Sequence, residues 1–234
     1  MRSSKLSLVA LFLLCSVFAS QHLFAQEMQD TLPYKAYEIG LFGTGGVCVF
    51  NGTVPDGSKT DIRPAFTFGA LGTYAANRDI GFALGVGYEA RGMFFKKQNV
   101  TDPNETITLN YLSIQPSVRF KSFLLGVNIG LPMSSKFESS GSYLPTNPNS
   151  FSKDSLNTVI DIRAEGLLGI VENDFGNLYF VIQASYPLSD AIGGKGFYTV
   201  SQNLANSPSP VTKSPIPTVQ IGLSYLFSPG AKTK

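Results

Sequence analysis

Gln220-Ile221-Gly222-Leu223-Ser224-Tyr225-Leu226-Phe227 reads as one extended strand with two unlike faces. Counting back from Phe227 by twos gives Tyr225, Leu223, Ile221 and Val219; the opposite parity holds Gln220 and Gly222. Side chains of an extended chain alternate between its two sides, so a period of two sorts these residues onto separate surfaces, which a 3.6-residue period would mix. The pattern recurs upstream. Phe66, Phe68, Ala70, Gly72 and Tyr74 share a face, as do Phe82, Leu84, Val86, Tyr88 and Ala90. Phe123, Leu125, Val127, Ile129 and Leu131 form another such face, and Leu178, Phe180, Ile182, Ala184 and Tyr186 a fourth.

Eight alternating segments emerge, over 36–50, 62–75, 80–92, 107–120, 123–131, 158–170, 177–187 and 218–227. Most approach or exceed the ~9–11 residues that a tilted strand needs to cross a bilayer. The connections after the second, fourth and sixth are short: 76–79, 121–122 and 171–176. Those after the first, third, fifth and seventh are long and polar: 51–61, 93–106, 132–157 and 188–217. Strict alternation of short and long connections is the layout of a membrane barrel, with short turns on one side and long loops on the other. The expected fold is therefore all-β: an eight-stranded antiparallel up-and-down transmembrane β-barrel over 36–227.

The first residues are a separate object. Arg2 and Lys5 precede an apolar run from Leu8 to Ala19, and small residues follow at Ser20 and Ala25. That is the order of a secretory signal peptide, expected to span 1–25 and to be cleaved before Gln26. Leu13 and Leu14 before Cys15 argue against a lipoprotein site, which wants a small residue there. A short periplasmic segment, 26–35, would lead into the barrel, and a periplasmic tail, 228–234, would follow it.

Charge supports the same division. Charged residues are 15% of the chain, against about 25% in soluble domains. They are missing from the apolar faces, as a lipid-facing surface requires. Tyr37, Tyr74, Tyr88, Tyr186 and Tyr225 fall towards strand ends, where an aromatic girdle would lie. The other face carries Glu38, Arg63, Glu89, Arg91, Arg119, Asp161, Arg163 and Glu165, with Gln115, Asn128, Gln183 and several glycines. An eight-stranded barrel is just wide enough inside for side chains to fill. Acids and bases in equal number then predict a lumenal ion-pair network that plugs the bore. The other reading of the same residues is a narrow proton or ion path.

Two segments carry a family likeness beyond this pattern. The closing strand, with Gln220, Gly222, Tyr225 and Phe227, resembles the C-terminal assembly signal of outer-membrane barrels. Tyr111-Leu112-Ser113-Ile114-Gln115-Pro116-Ser117-Val118-Arg119-Phe120 resembles the central strand of the PorT-like family of small outer-membrane barrels, and Gly85–Gly92 resembles the strand before it. The resemblance implies an outer-membrane barrel of the OmpA-like size class, in contact with outer-membrane lipid and delivered by the barrel-assembly machinery. It implies no activity. One departure is that Ser228–Lys234 follow Phe227, where the family's signal usually ends the chain.

Little else points to chemistry. The single histidine, His22, lies in the leader, which removes Ser-His and Asp-His hydrolase sites and His-ligated metals from the mature chain. Cys48 is the one cysteine left after cleavage, so no disulfide forms within the chain; it reads as a small filler near a strand's outer end. Gly43–Gly46 lacks the following Lys-Ser/Thr of a phosphate loop. No catalytic, cofactor or metal site is expected. A formal charge of +2 with no basic stripe argues against nucleic acid. In the long loops, Tyr143, Phe151, Phe197 and Tyr198 are the candidates for contact with an external ligand or protein. The expected role is structural or surface-binding in a bacterial outer membrane; the alternatives are a narrow porin-like channel and a soluble periplasmic lipid-binding barrel.

Overall fold

A strand with one apolar face satisfies its backbone only by pairing along both edges, and here the pairing closes on itself. The computed structural model describes residues 37–52, 58–77, 79–97, 104–139, 156–173, 175–192 and 215–228. They form β1 (Tyr37–Cys48), β2 (Ser58–Thr60), β3 (Arg63–Ala75), β4 (Ile80–Lys97), β5 (Glu105–Phe120), β6 (Phe123–Ser139), β7 (Val159–Glu172), β8 (Gly176–Pro187) and β9 (Thr218–Phe227). All but β2 join a closed antiparallel ring in which each strand pairs with its neighbours in the chain and β9 pairs with β1. The short β2 adds to the far end of β4. The fold is thus an eight-stranded up-and-down barrel, with no helix among the described residues.

The ring is staggered. Partners followed from Glu38 through Thr73, Ala83, Ser117, Gly126, Arg163, Ser185 and Thr218 return to β1 at Cys48, ten residues further on (48 less 38). Such a shear obliges the strands to tilt by roughly 40°. Tight curvature brings neighbouring backbones close on the inner side. A Cβ at Gly40 would run into the Tyr225 carbonyl, and one at Gly222 into the Gly43 carbonyl. At Gly85 the crowding comes instead from the Gln115 side chain, 2.8 Å from where a Cβ would lie. Some inward glycines therefore make room for side chains, as their mixture with long residues suggested; others let the wall bend.

One end of the barrel is made of short turns. Asn77 Oδ1 accepts from the backbone N–H groups of Asp79 and Ile80, and Asn173 Oδ1 from those of Phe175 and Gly176. Lys121 and Ser122 make the third turn, with Lys121 at φ 51°. The Ser228 N–H donates to the Phe175 carbonyl at this end.

The outer face is apolar through the middle of the wall: Leu41, Phe68, Phe82, Leu84, Ile162, Ile221 and Leu223 are all exposed. At ~3.3 Å per residue and this tilt, the apolar girdle is about 25 Å tall, the height of the band on transmembrane barrels. Tyr37 packs against Tyr74 with tilted rings, and Tyr225 meets Phe227 edge to face, at the turn end.

Several expected boundaries move, two of them by five residues or more. β4 continues to Lys97 and β6 to Ser139, and β2 forms inside the expected loop 51–61. The cause is that backbone pairing does not stop where lipid does. Above the girdle the outward positions become Lys96, Thr108, Asn110 and Lys136, while Met93, Phe95, Ile107 and Leu109 stay buried within. The expected leader 1–25, the expected segment 26–35 and residues 229–234 of the expected tail lie outside the described residues.

Candidate functional site

Every charged residue expected on the inner face has inner-face parity, and the stagger decides which of them meet. Arg91 on β4 reaches across the bore to Asp161 on β7, three strands around the ring, with N···O 2.7 Å, and also pairs with Glu89 at 2.8 Å. The Asn128 side-chain amide donates to both carboxylates, at 2.8 Å to Glu89 and 2.9 Å to Asp161. None of the three charged side chains is more than 2% exposed. The Arg91 guanidinium also lies over the Tyr111 ring, 5.4 Å from its centroid. Hydrogen bonds continue down the wall, from Ser113 Oγ to Asn128 at 2.6 Å and from Gln115 Nε2 to Ser113 at 2.7 Å.

A second crossing lies near the turn end. Arg119 on β5 donates to Glu38 on β1 at 2.8 Å, again three strands away. The same carboxylate accepts from Asn177 on β8 at 2.7 Å and from Thr73 at 3.2 Å. Arg163 pairs with Glu165, two residues along its own strand, and donates to Gln183 at 3.3 Å. Gln220 accepts from Thr44 and Thr67 at 2.5 and 3.0 Å, tying β9 to β1 and β3.

Arg63 stands apart. It is half-buried at the first position of β3, its guanidinium 5.9 Å from the Phe94 ring centroid, and it joins no ion pair among the described residues. The reason is its place at the rim, where the wall ends and an arginine can lie over a ring instead of entering the bore. The interior ion pairs consequently involve four carboxylates and three guanidiniums, which corrects the even balance expected from the sequence.

The polar level lies between two apolar ones. Towards the turns, Phe42, Leu71, Ala83, Leu124, Leu167, Val181 and Leu226 pack together with Tyr179. Towards the loops, Cys48, Phe50, Met93, Phe95, Ile107, Leu109, Leu156, Ile192 and Ile216 pack over Tyr111. Part of this upper layer comes from the long connections, which continue the wall through bonds from the Val49 N–H to the Pro217 carbonyl and the Asn157 N–H to the Ala191 carbonyl. Cys48 is part of it, its Sγ 3.2 Å from the Gly92 carbonyl. The lower layer, and Cys48, Phe50, Ile107 and Leu109 of the upper one, have the inner parity of strands already assigned, and that parity is the signal by which they could have been found; Met93, Phe95, Leu156, Ile192 and Ile216 fall in the expected connections and carried no such signal. Within the polar level, Arg91 Nε, Arg163 Nε, Tyr111 OH, Gln115 Oε1 and Gln220 Nε2 are buried without a hydrogen-bond partner among the described residues.

The four residues of the closing strand divide by face. Gln220 and Gly222 point inward, whereas Tyr225 and Phe227 lie on the outer surface with rings 4.6 Å apart. The loop candidates Tyr143, Phe151, Phe197 and Tyr198 lie outside the described residues.

No protein-family model and no curated protein matches the sequence. Among solved structures, the chain is similar to Ail, the attachment invasion locus protein of Yersinia pestis, at 18% identity over 82% of this chain and 99% of that one, with a TM-score of 0.37. It is similar to the outer membrane protein OprG of Pseudomonas aeruginosa at 13% identity, covering 83% and 94%, with a TM-score of 0.32. It is also similar to Neisserial surface protein A, at 10% identity over 81% and 96%, with a TM-score of 0.38.

Proposed function

We propose that this chain is an integral outer-membrane barrel whose bore is closed by its own side chains, and that its role is to span the membrane and present its long connections outside, without catalysis. The observation that carries the reading is the Arg91 crossing. One guanidinium ties two carboxylates of opposite walls at almost no exposure, between two apolar layers. A conducting pore would need water and counter-ions where these side chains meet. The apolar girdle supports the location, because a charge at bilayer mid-height costs about 2–4 kcal/mol and none is found on the outer face there among the described residues.

A narrow channel is the second reading, favoured by one feature. The unpartnered polar atoms of the middle level call for water. Water there is compatible with a sealed chamber, since buried polar groups are commonly bridged by a few ordered waters.

Planar-bilayer recording of the refolded protein separates the two. A closed bore gives no regular conductance steps, and steps in the wild-type protein would refute closure. Cys48 provides a parallel measure, being the only cysteine outside the expected leader. In the closed barrel it should react with a polar maleimide only as fast as the barrel unfolds. Labelling much faster than unfolding would mean that the upper layer opens.

A further inference from the structure

We infer that the loop-end rim above β4 binds the phosphate groups of outer-leaflet glycolipid, through Lys59 and Lys96. Register places Lys59 of β2 directly opposite Lys96 of β4, so the two side chains share one face of the sheet. Both are exposed, and neither joins an ion pair or hydrogen bond among the described residues. The face is the outer one, because Phe95 between Lys96 and Phe94 is buried in the bore.

Like charges directly opposite in a sheet repel each other. A bound anion converts that repulsion into attraction, and two ammonium groups side by side suit a phosphate. Among the described residues, the neighbouring charges leave the pair positive. Asp61 is exposed nearby with Oδ1 accepting from the Ile62 N–H, Arg63 lies over Phe94, and Lys136 pairs with Glu138 at 2.5 Å. Lys96 is six residues beyond Ala90, the partner of Phe66 (96 less 90), which at the same rise and tilt places these lysines about 15 Å above Phe66. That is the depth of a phosphorylated saccharide head, not of acyl chains. Below them, Phe66, Phe68 and Tyr88 form a stacked outer patch, with centroids 5.3 and 5.9 Å apart, against which the acyl part of the same lipid would lie.

The inference rests on the membrane reading, and the test keeps the two apart. Folded protein in detergent micelles is titrated with a bis-phosphorylated acylated disaccharide, and native mass spectrometry counts the bound lipid. We expect Lys59→Gln with Lys96→Gln to weaken binding about twenty-five-fold, at roughly fivefold per lysine, and Lys59→Arg with Lys96→Arg to retain it. The dephosphorylated lipid should bind the wild-type protein as weakly as the phosphorylated lipid binds the glutamine variant. Equal binding by wild type and glutamine variant, or of both lipids, overturns the inference. So does displacement of the lipid by millimolar inorganic phosphate, which would make the occupant a soluble anion. Heat-modifiable gel mobility of the same samples reports the barrel itself, and its absence would bring down the membrane reading as well.

Discussion

Two ion pairs cross the bore, and they differ in what surrounds them. Arg91 with Asp161 and Arg119 with Glu38 each join strands three apart around the ring, at nearly the same N···O distance, 2.7 and 2.8 Å. The upper crossing lies between apolar layers, with side chains at most 1% exposed. The lower one opens towards the turns, and Arg119 is 17% exposed. The upper guanidinium faces two carboxylates and has its Nε unpartnered. The lower one faces a single carboxylate and has its Nε bonded to the Lys121 carbonyl at 2.9 Å. Identical chemistry should therefore carry different energies, because breaking a pair is severe only where the stranded charge has nowhere to go.

Arg91→Ala tests the severe case. It leaves Glu89 and Asp161 facing each other with only Asn128 between them, and loss of one partner of a buried pair destabilises by about 3–5 kcal/mol. The chain contains no tryptophan, so urea unfolding in micelles is best followed by heat-modifiable mobility or circular dichroism. A loss under about 1 kcal/mol would mean that water already reaches this level. Changing all three charges together, Arg91→Met with Glu89→Leu and Asp161→Leu, should recover part of that loss. The remaining deficit, about 1–3 kcal/mol, is that of the Asn128 amide left without acceptors. If the triple variant proved less stable than Arg91→Ala alone, the pair would be contributing net attraction beyond its desolvation.

Glu38→Ala tests the mild case. Arg119 keeps the Lys121 carbonyl at 2.9 Å, the Thr73 hydroxyl at 3.3 Å and access to water at the turn end. The expected loss is about 1–2 kcal/mol. A value equal to that of Arg91→Ala would erase the difference between the two levels.

The sequence made one part of this plain and hid another. Lipid forbids charge on the outer face, so alternation alone assigned Asp161, Arg163 and Glu165 inward, each flanked by apolar neighbours such as Ile160 and Ile162. Pairing was hidden because it depends on a ten-residue stagger, which no single strand displays. Arg163 consequently meets Glu165 on its own strand, and Arg63, at the rim, lies over Phe94. The apolar layers escaped for a related reason. Phe42, Leu71, Leu124 and Leu226 occupy inner positions, where the eye looks for charge, and only their convergence from different strands makes a layer of them. The ends of β4 and β6 ran on unseen because the rule used to find strands, an apolar outer face, lapses above the girdle.

The smallest effect belongs to the turn beneath the lower crossing. Lys121 at φ 51° occupies the left-handed region, which a side chain adopts at some strain. Its N–H donates to the Asp79 carbonyl at 2.9 Å, and its ammonium is 3.5 Å from the Asp79 carboxylate, both side chains well exposed. Lys121→Gly relieves the strain and keeps the N–H, while an exposed ion pair of this length contributes little. The larger freedom of glycine in the unfolded chain offsets part of the gain. The net expectation is a stabilisation of less than about 1 kcal/mol with the Arg119–Glu38 crossing intact. Lys121→Pro should do the opposite, since its ring fixes φ near −65° and removes the donor to Asp79. If glycine destabilised as much as proline, the lysine side chain, and not its backbone, would be what holds the lower crossing in place.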